Sequence, residues 1–148
     1  MDRRSLDLFV KILLEIDEIE ARKAEFHIDA ELWSHSRPMR DLLLMPLIQI
    51  GELVAHFKGN EQMVLFPGVP WRDIKGFRNV VVHGYGYIDA DSAWETATRG
   101  ISELRSELLD NQEVCTAYQQ EIECRDKLDG DSNADDLNSF LDSLPLAD

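Results

Sequence analysis

The stretch Trp71-Arg72-Asp73-Ile74-Lys75-Gly76-Phe77-Arg78-Asn79-Val80-Val81-Val82-His83-Gly84-Tyr85 gathers three cations, an imidazole and a phenol beside glycine turns. Each group suits a task at a phosphodiester. Arg78 offers a fork of fixed positive donors matched to phosphate oxygens. His83 ionises near neutral pH, so its imidazole moves a proton in either direction. Asn79 can hydrogen-bond a phosphate or sugar oxygen without adding charge. RNA carries its own nucleophile, the 2′-hydroxyl. A proton-moving His and an Arg facing the phosphorane charge therefore suffice for strand cleavage, with no cofactor and no metal. Arg72 and Lys75 either extend a phosphate path or are ordinary solvated charge. The spacing alone opposes a shared site, because five residues on an ideal helix set two side chains about 140° apart. A helix that closes at His83, together with the reach of an arginine, relaxes that objection.

The elements that must hold these groups read as helices. Residues 2–25 carry Leu6, Phe9, Val10, Leu13, Ile16 and Ile19 on one face, with Glu15, Asp17, Glu18 and Glu20 opposite. Asp29 caps one short turn through Trp33. Ser36-Arg37-Pro38 starts a long helix expected to run from Arg37 to Lys58 and stop at Gly59-Asn60. Its Leu42–Ile48 run is apolar nearly all round, which suggests a second burial partner such as another subunit. Pro46 inside it removes one hydrogen bond. Residues 61–70 read as a loop, and a third helix begins near Trp71 and ends around His83-Gly84. Asp91 or Ser92 is expected to cap a fourth helix to Asp110, with Trp94, Ala97, Ile101, Leu104 and Leu108 inward. A fifth helical pattern carries Val114, Tyr118, Ile122 and Arg125. From Asp129 an acidic linker leads to Leu137, Phe140, Leu141 and Leu144, either an undocked tail or a short helix that covers a groove. Apart from Val80-Val81-Val82 there is no strand signal. The pattern predicts an all-α fold, an up-and-down four-helix bundle over residues 1–110, an appended helix at 111–128 and an acidic, flexible tail at 129–148.

The formal charge of −14 is unevenly spread. Residues 1–110 hold 13 Lys/Arg against 19 Asp/Glu, whereas residues 111–148 hold 2 against 10. A uniformly acidic surface would exclude nucleic acid, because phosphate binding needs positive potential. A mildly acidic body with an acidic tail leaves room for a local basic cleft. Cys115 and Cys124 are about 13 Å apart along a helix axis at 1.5 Å per residue, too far for a bridge within one helix, and read as reduced thiols. No apolar run approaches the roughly 18 residues of a membrane span, and the N-terminus does not read as a signal peptide, so a cytoplasmic protein is expected. His27, His35 and His56 lack close metal-ligand spacing and read as surface or boundary residues.

The motif Arg78-x4-His83-x-Tyr85 resembles the Arg-x4-His-x-Tyr signature of HepT-like ribonuclease toxins in the HEPN superfamily. Ile50-Gly51-Glu52, Val69-Pro70-Trp71-Arg72-Asp73-Ile74 and Gly76-Phe77-Arg78-Asn79 are similar to the words around that signature, and Asp89 and Trp94 fall where the family places an acid and a Trp. The likeness covers roughly residues 5–110. It implies a HEPN bundle that forms a homodimer, with two Arg-His pairs in a shared cleft, and metal-independent RNA cleavage. It also implies a minimal nucleotidyltransferase antitoxin that adds AMP to the motif tyrosine, Tyr85, placing bulk and negative charge where RNA phosphate must sit. The chain departs from the pattern at Pro46 and at Gly86, where relatives often carry an aromatic; Tyr87 follows, so either Tyr85 or Tyr87 is the more accessible phenol. Glu52 is expected to pair with an arginine or to border the site. Two rivals stand beside this reading: a non-catalytic HEPN module that binds nucleotide, RNA or a nucleotidyltransferase, and a structural helical adaptor.

Overall fold

A computed structural model describes residues 1–79, 89–131, 139 and 141–145, and these are helical with no strand among them. The Val80–Val82 run lies outside the described residues. Helix α1 spans Arg3–Glu25, where Asp2 accepts a hydrogen bond from the Ser5 amide at 2.7 Å and so caps the first turn. Helix α2, Ala30–His35, starts at the expected cap, Asp29, and carries the buried Trp33. Helix α3, Arg37–Ala55, begins at Ser36 with proline in its first turn. It stops three residues before the expected Lys58. The His56 amide turns back to the Leu53 carbonyl, and Gly59 and Asn60 both take left-handed conformations that no helix continues through.

Residues 61–70 are not all loop. Glu61–Leu65 form a short helix, α4, which places Gln62 in the interior, and α5 follows at Trp71–Gly76. Glu61 at its start also accepts a short hydrogen bond from the Ser5 hydroxyl of α1, tying the two elements together. The fourth expected helix is present but divided: α6 at Ala90–Glu95, a π-helical turn at Thr96–Gly100, then α7 at Ile101–Asp110. Its cap is Asp89, not Asp91 or Ser92. The Asp89 carboxylate accepts from the Asp91 amide at 3.1 Å and the Ser92 hydroxyl at 2.9 Å, and these bonds hold it below the usual carboxylate range. Helix α8 spans Gln112–Asp131 and so continues past the expected linker start at Asp129.

The core lies between α1, α3 and α7, with Phe9, Ile12, Leu13, Ile16, Leu43, Leu47, Ile50, Leu104 and Leu108 buried together. The buried residues of α1 recur every three or four positions, the spacing by which helices of a bundle pack together. Helix α8 packs on α1 and α7 through Val114, and a polar knot fixes it. Tyr118 donates a short hydrogen bond to Asp17 of α1, while Arg105 of α7 lies 3.4 Å from Asp17 and 3.3 Å from the Tyr118 oxygen. Burial, and then the bond to Asp17, push the Tyr118 phenol above its usual range. Met45 on α3 is 55% exposed, so one edge of the apolar run reaches solvent in the single chain. Leu141 and Leu144 are also exposed.

Pro46 sits in α3 without ending it, and the reason is a contact between helices. A proline at this position leaves the Leu42 carbonyl without its helical donor. Arg22 of α1 supplies one: its guanidinium donates to the Leu42 oxygen at 2.7 Å, and Glu18 steadies it at 2.9 Å. Helix α3 therefore runs on to Gly51 and Glu52, the residues that meet the candidate site.

Candidate functional site

The site is carried by the end of α5, so what anchors α5 decides where its last residues stand. Trp71 is buried and donates its indole N–H to the Phe66 carbonyl at 2.9 Å. Its ring belongs to an aromatic cluster in which Phe9 lies 5.0 Å from Phe66 and 4.7 Å from Phe57, ring centre to ring centre. Ile74, one turn on, is buried against the same core. Arg72, Asp73 and Lys75 occupy the solvent side of the helix.

Beyond Gly76 the backbone tightens. The Phe77 and Arg78 amides donate to the Ile74 and Lys75 carbonyls, both at 3.2 Å, which is the three-residue bonding of a closing turn. Helix α5 thus ends at Gly76 and Arg78 stands on a turn, with Asn79 helical again after it; the expected end at His83-Gly84 lies outside the described residues. Asn79 is exposed beside Arg78. His83, Tyr85, Gly86 and Tyr87 lie outside the described residues.

Helix α3 meets this turn at Gly51. A Cβ there would stand 3.1 Å from the Arg78 amide nitrogen and 3.1 Å from the Ile74 carbonyl oxygen. A hydrogen at this position lets the two backbones approach without the few tenths of an ångström of give that a Cβ would demand. The next residue completes the contact: Glu52 Oε1 lies 3.0 Å from Arg78 Nε, with the side chains 43% and 40% exposed. The expected pairing of Glu52 with an arginine is thus present, and that arginine is the one in the motif.

The described part of the site consequently offers a half-exposed guanidinium, held from one side by a carboxylate, with Arg72 and Lys75 on the helix leading to it. Such an arrangement can present positive donors to a phosphate. Below it, a largely apolar cavity of about 100 Å³ lies between Leu47, Ile74, Phe77, Gly100 and Leu104, beside the π-helical turn. Asp89 and Trp94, the acid and the Trp expected after the histidine, have structural positions. Asp89 caps α6, and the Trp94 ring lies 5.6 Å from that of Trp33. His27, His35 and His56 are exposed at or next to helix ends, as expected. Sequence reasoning missed the π-helical turn and the Arg22–Leu42 contact. Gly100 within an otherwise helical pattern was a signal for the first; no local spacing encodes the second.

Comparison with known proteins adds to this geometry. A family model described as "Ribonuclease HepT-like" matches residues 12–110. The chain is 28% identical over 110 residues to a protein named "Putative RNase MJ1380" from Methanocaldococcus jannaschii, covering 73% of this chain and 97% of that one. No solved structure matches. The matched segment begins in α1, closes with α7 at Asp110 and includes every residue of the motif, so the chain belongs to the HepT-like ribonuclease family.

Proposed function

We propose that the protein is an endoribonuclease toxin that cleaves RNA without a metal ion, using Arg78 and His83, and that it is switched off by adenylylation of Tyr85. The observation that carries this reading is the half-exposed guanidinium of Arg78, fixed by Glu52 at the closing turn of α5 within the family-matched segment. In the proposed reaction the RNA 2′-oxygen attacks the adjacent phosphorus, the bond to the 5′-oxygen breaks, and a 2′,3′-cyclic phosphate forms. His83 moves the proton that leaves the 2′-hydroxyl or the proton that the 5′-oxygen acquires. Arg78 faces the charge that builds on the non-bridging oxygens. Asn79 supports the site, and Arg72 and Lys75 guide the strand toward it.

Residues 1–110 form the catalytic body, with Gln112–Asp131 as an appended helix and the residues beyond it as an acidic tail. A homodimer in the cytoplasm, with the exposed Met45 edge of α3 in its interface, accounts for the apolar surface there. A minimal nucleotidyltransferase antitoxin is the regulatory partner. In the proposed switch the Tyr85 oxygen attacks the α-phosphorus of ATP, loses its proton and expels pyrophosphate. The AMP left behind puts a negative charge where substrate phosphate must sit.

The test compares an RNA oligonucleotide with its fully 2′-deoxy counterpart, both incubated with the purified chain in EDTA. The proposal predicts cleavage of the ribose strand alone, with cyclic phosphate ends. Cleavage of both strands, or cleavage only after metal is added, contradicts it. Co-expression with a nucleotidyltransferase should add one AMP per chain, mapped to Tyr85; an adduct on Tyr87 would move the regulatory assignment there.

A further inference from the structure

We infer that Glu52 is the positioning residue for Arg78, and that Gly51 is the close-contact point that brings it into range. The inference rests on the reading of Arg78 as the group that faces substrate phosphate. Two independent observations support it. One is the contact of Glu52 Oε1 with Arg78 Nε at 3.0 Å. The other is the approach of the α5 end to Gly51, close enough that a Cβ would stand 3.1 Å from the Arg78 amide. The first fixes the head of the arginine and the second fixes its backbone, so the side chain is held at both ends.

The atom contacted matters. A guanidinium has one inner nitrogen and two terminal ones, and a carboxylate on the inner nitrogen sets the plane of the group without covering the edge that carries the terminal pair. That edge forms the parallel bonds that a phosphate accepts. A carboxylate bridging the terminal pair would instead compete with substrate. The observed contact lies at the inner nitrogen and neutralises part of the charge, and in this inference the terminal pair is the edge that meets the ligand.

The exposure of the pair separates this role from a structural one. With both side chains about two-fifths exposed, the ion pair is screened by solvent and adds little to folding. Its value lies in restricting the rotamers of a long side chain, and a displacement of about 1 Å at a reacting centre can cost on the order of a hundredfold in rate. Removing the carboxylate should therefore leave the fold intact and slow the chemistry.

The experiment uses Glu52→Ala and Glu52→Gln in the full chain, each alone and with Arg78→Ala. Glu52→Ala should lower kcat on RNA by about 10- to 100-fold, with KM within about threefold of wild type and an unchanged melting temperature. Glu52→Gln keeps an oxygen acceptor for Nε and should recover most of the rate. In the Arg78→Ala background, Glu52→Ala should cause no further loss, because the group it positions is gone. A wild-type rate for Glu52→Ala, or the same fold loss with and without Arg78, overturns the inference. A second readout does not depend on cleavage. The NMR signal of the Arg78 Nε–H should shift and exchange faster with solvent in Glu52→Ala than in wild type. An unchanged signal also overturns the inference. If the signal moves but the wild-type chain cleaves no RNA, the ribonuclease reading fails and the positioning of Arg78 by Glu52 stands.

Discussion

Pro46 and Arg22 should be energetically coupled, although they lie on different helices. Proline at position 46 takes a donor from the Leu42 carbonyl, and Arg22 replaces it at 2.7 Å. Arg22→Ala leaves that carbonyl unpaired in a partly buried setting. A hydrogen bond from a charged donor contributes about 1.5–3 kcal/mol, and the low end applies here because the arginine side chain is 30% exposed. The lost Glu18 contact is an exposed pair at helical spacing and adds about 0.3–0.5 kcal/mol. The single variant should thus lose about 2 kcal/mol, a fall of roughly 4–8 °C in melting temperature for a chain of this size. Pro46→Ala returns an N–H to the backbone, so the helix satisfies Leu42 by itself. In that background Arg22→Ala should cost only the surface pair, about 0.5 kcal/mol. Urea denaturation of the four proteins gives the cycle, with a predicted coupling of about 1.5 kcal/mol. Equal losses in the two backgrounds would refute the idea that Arg22 serves the proline.

Three further outcomes follow from the packing. Gly51→Ala gains about 1 kcal/mol of helix propensity but overpacks backbone atoms 3.1 Å away, which costs about 1–3 kcal/mol. It should be no more stable than wild type and should lose ribonuclease rate through displacement of Arg78; a stabilised, fully active variant contradicts this. Tyr118 should be a late-titrating phenol, since its folded value is raised above the ordinary 10.0. Because the neutral form is favoured in the fold, its stabilisation is complete below about pH 10 and is lost as pH rises through the folded value. Tyrosinate absorbance should show this high-pH step in wild type and lose it in Tyr118→Phe. A chain ending at Asp131 should melt with the full-length protein and cleave RNA equally well, because Leu141 and Leu144 are exposed; a lower melting temperature would show that the tail packs on the body.

Helix starts were readable in the sequence where one side chain fixes them: Asp29 and Ser36 each bond the amide three residues on. The start of α6 was not, because Asp89, Asp91 and Ser92 share the same capping chemistry and only the backbone turn at Asp89 selects among them. Helix ends were harder. Lys58 was expected for α3, but the backbone closes at Ala55 through a turn whose bonds leave no mark on hydrophobic spacing; the expected His83-Gly84 end lies outside the described residues. An acidic composition suggested a linker from Asp129, yet residues 129–131 extend a helix already begun. At the site, the motif and its lead-in identified Arg78 and placed Glu52 near an arginine. That the arginine is Arg78 itself depends on the crossing of α3 and α5 at Gly51, a long-range contact that one sequence does not encode.

The central claim is that an arginine at the closing turn of α5 and a histidine five residues later act together on an RNA phosphate. It is tested most directly by RNA cleavage with wild type, Arg78→Ala and His83→Ala in EDTA, with circular dichroism as the check on folding. Both variants should fold like wild type and lose cleavage by at least about a hundredfold, the scale of a lost proton-transfer or charge-stabilising group. A folded His83→Ala protein that cleaves RNA at the wild-type rate would contradict the account.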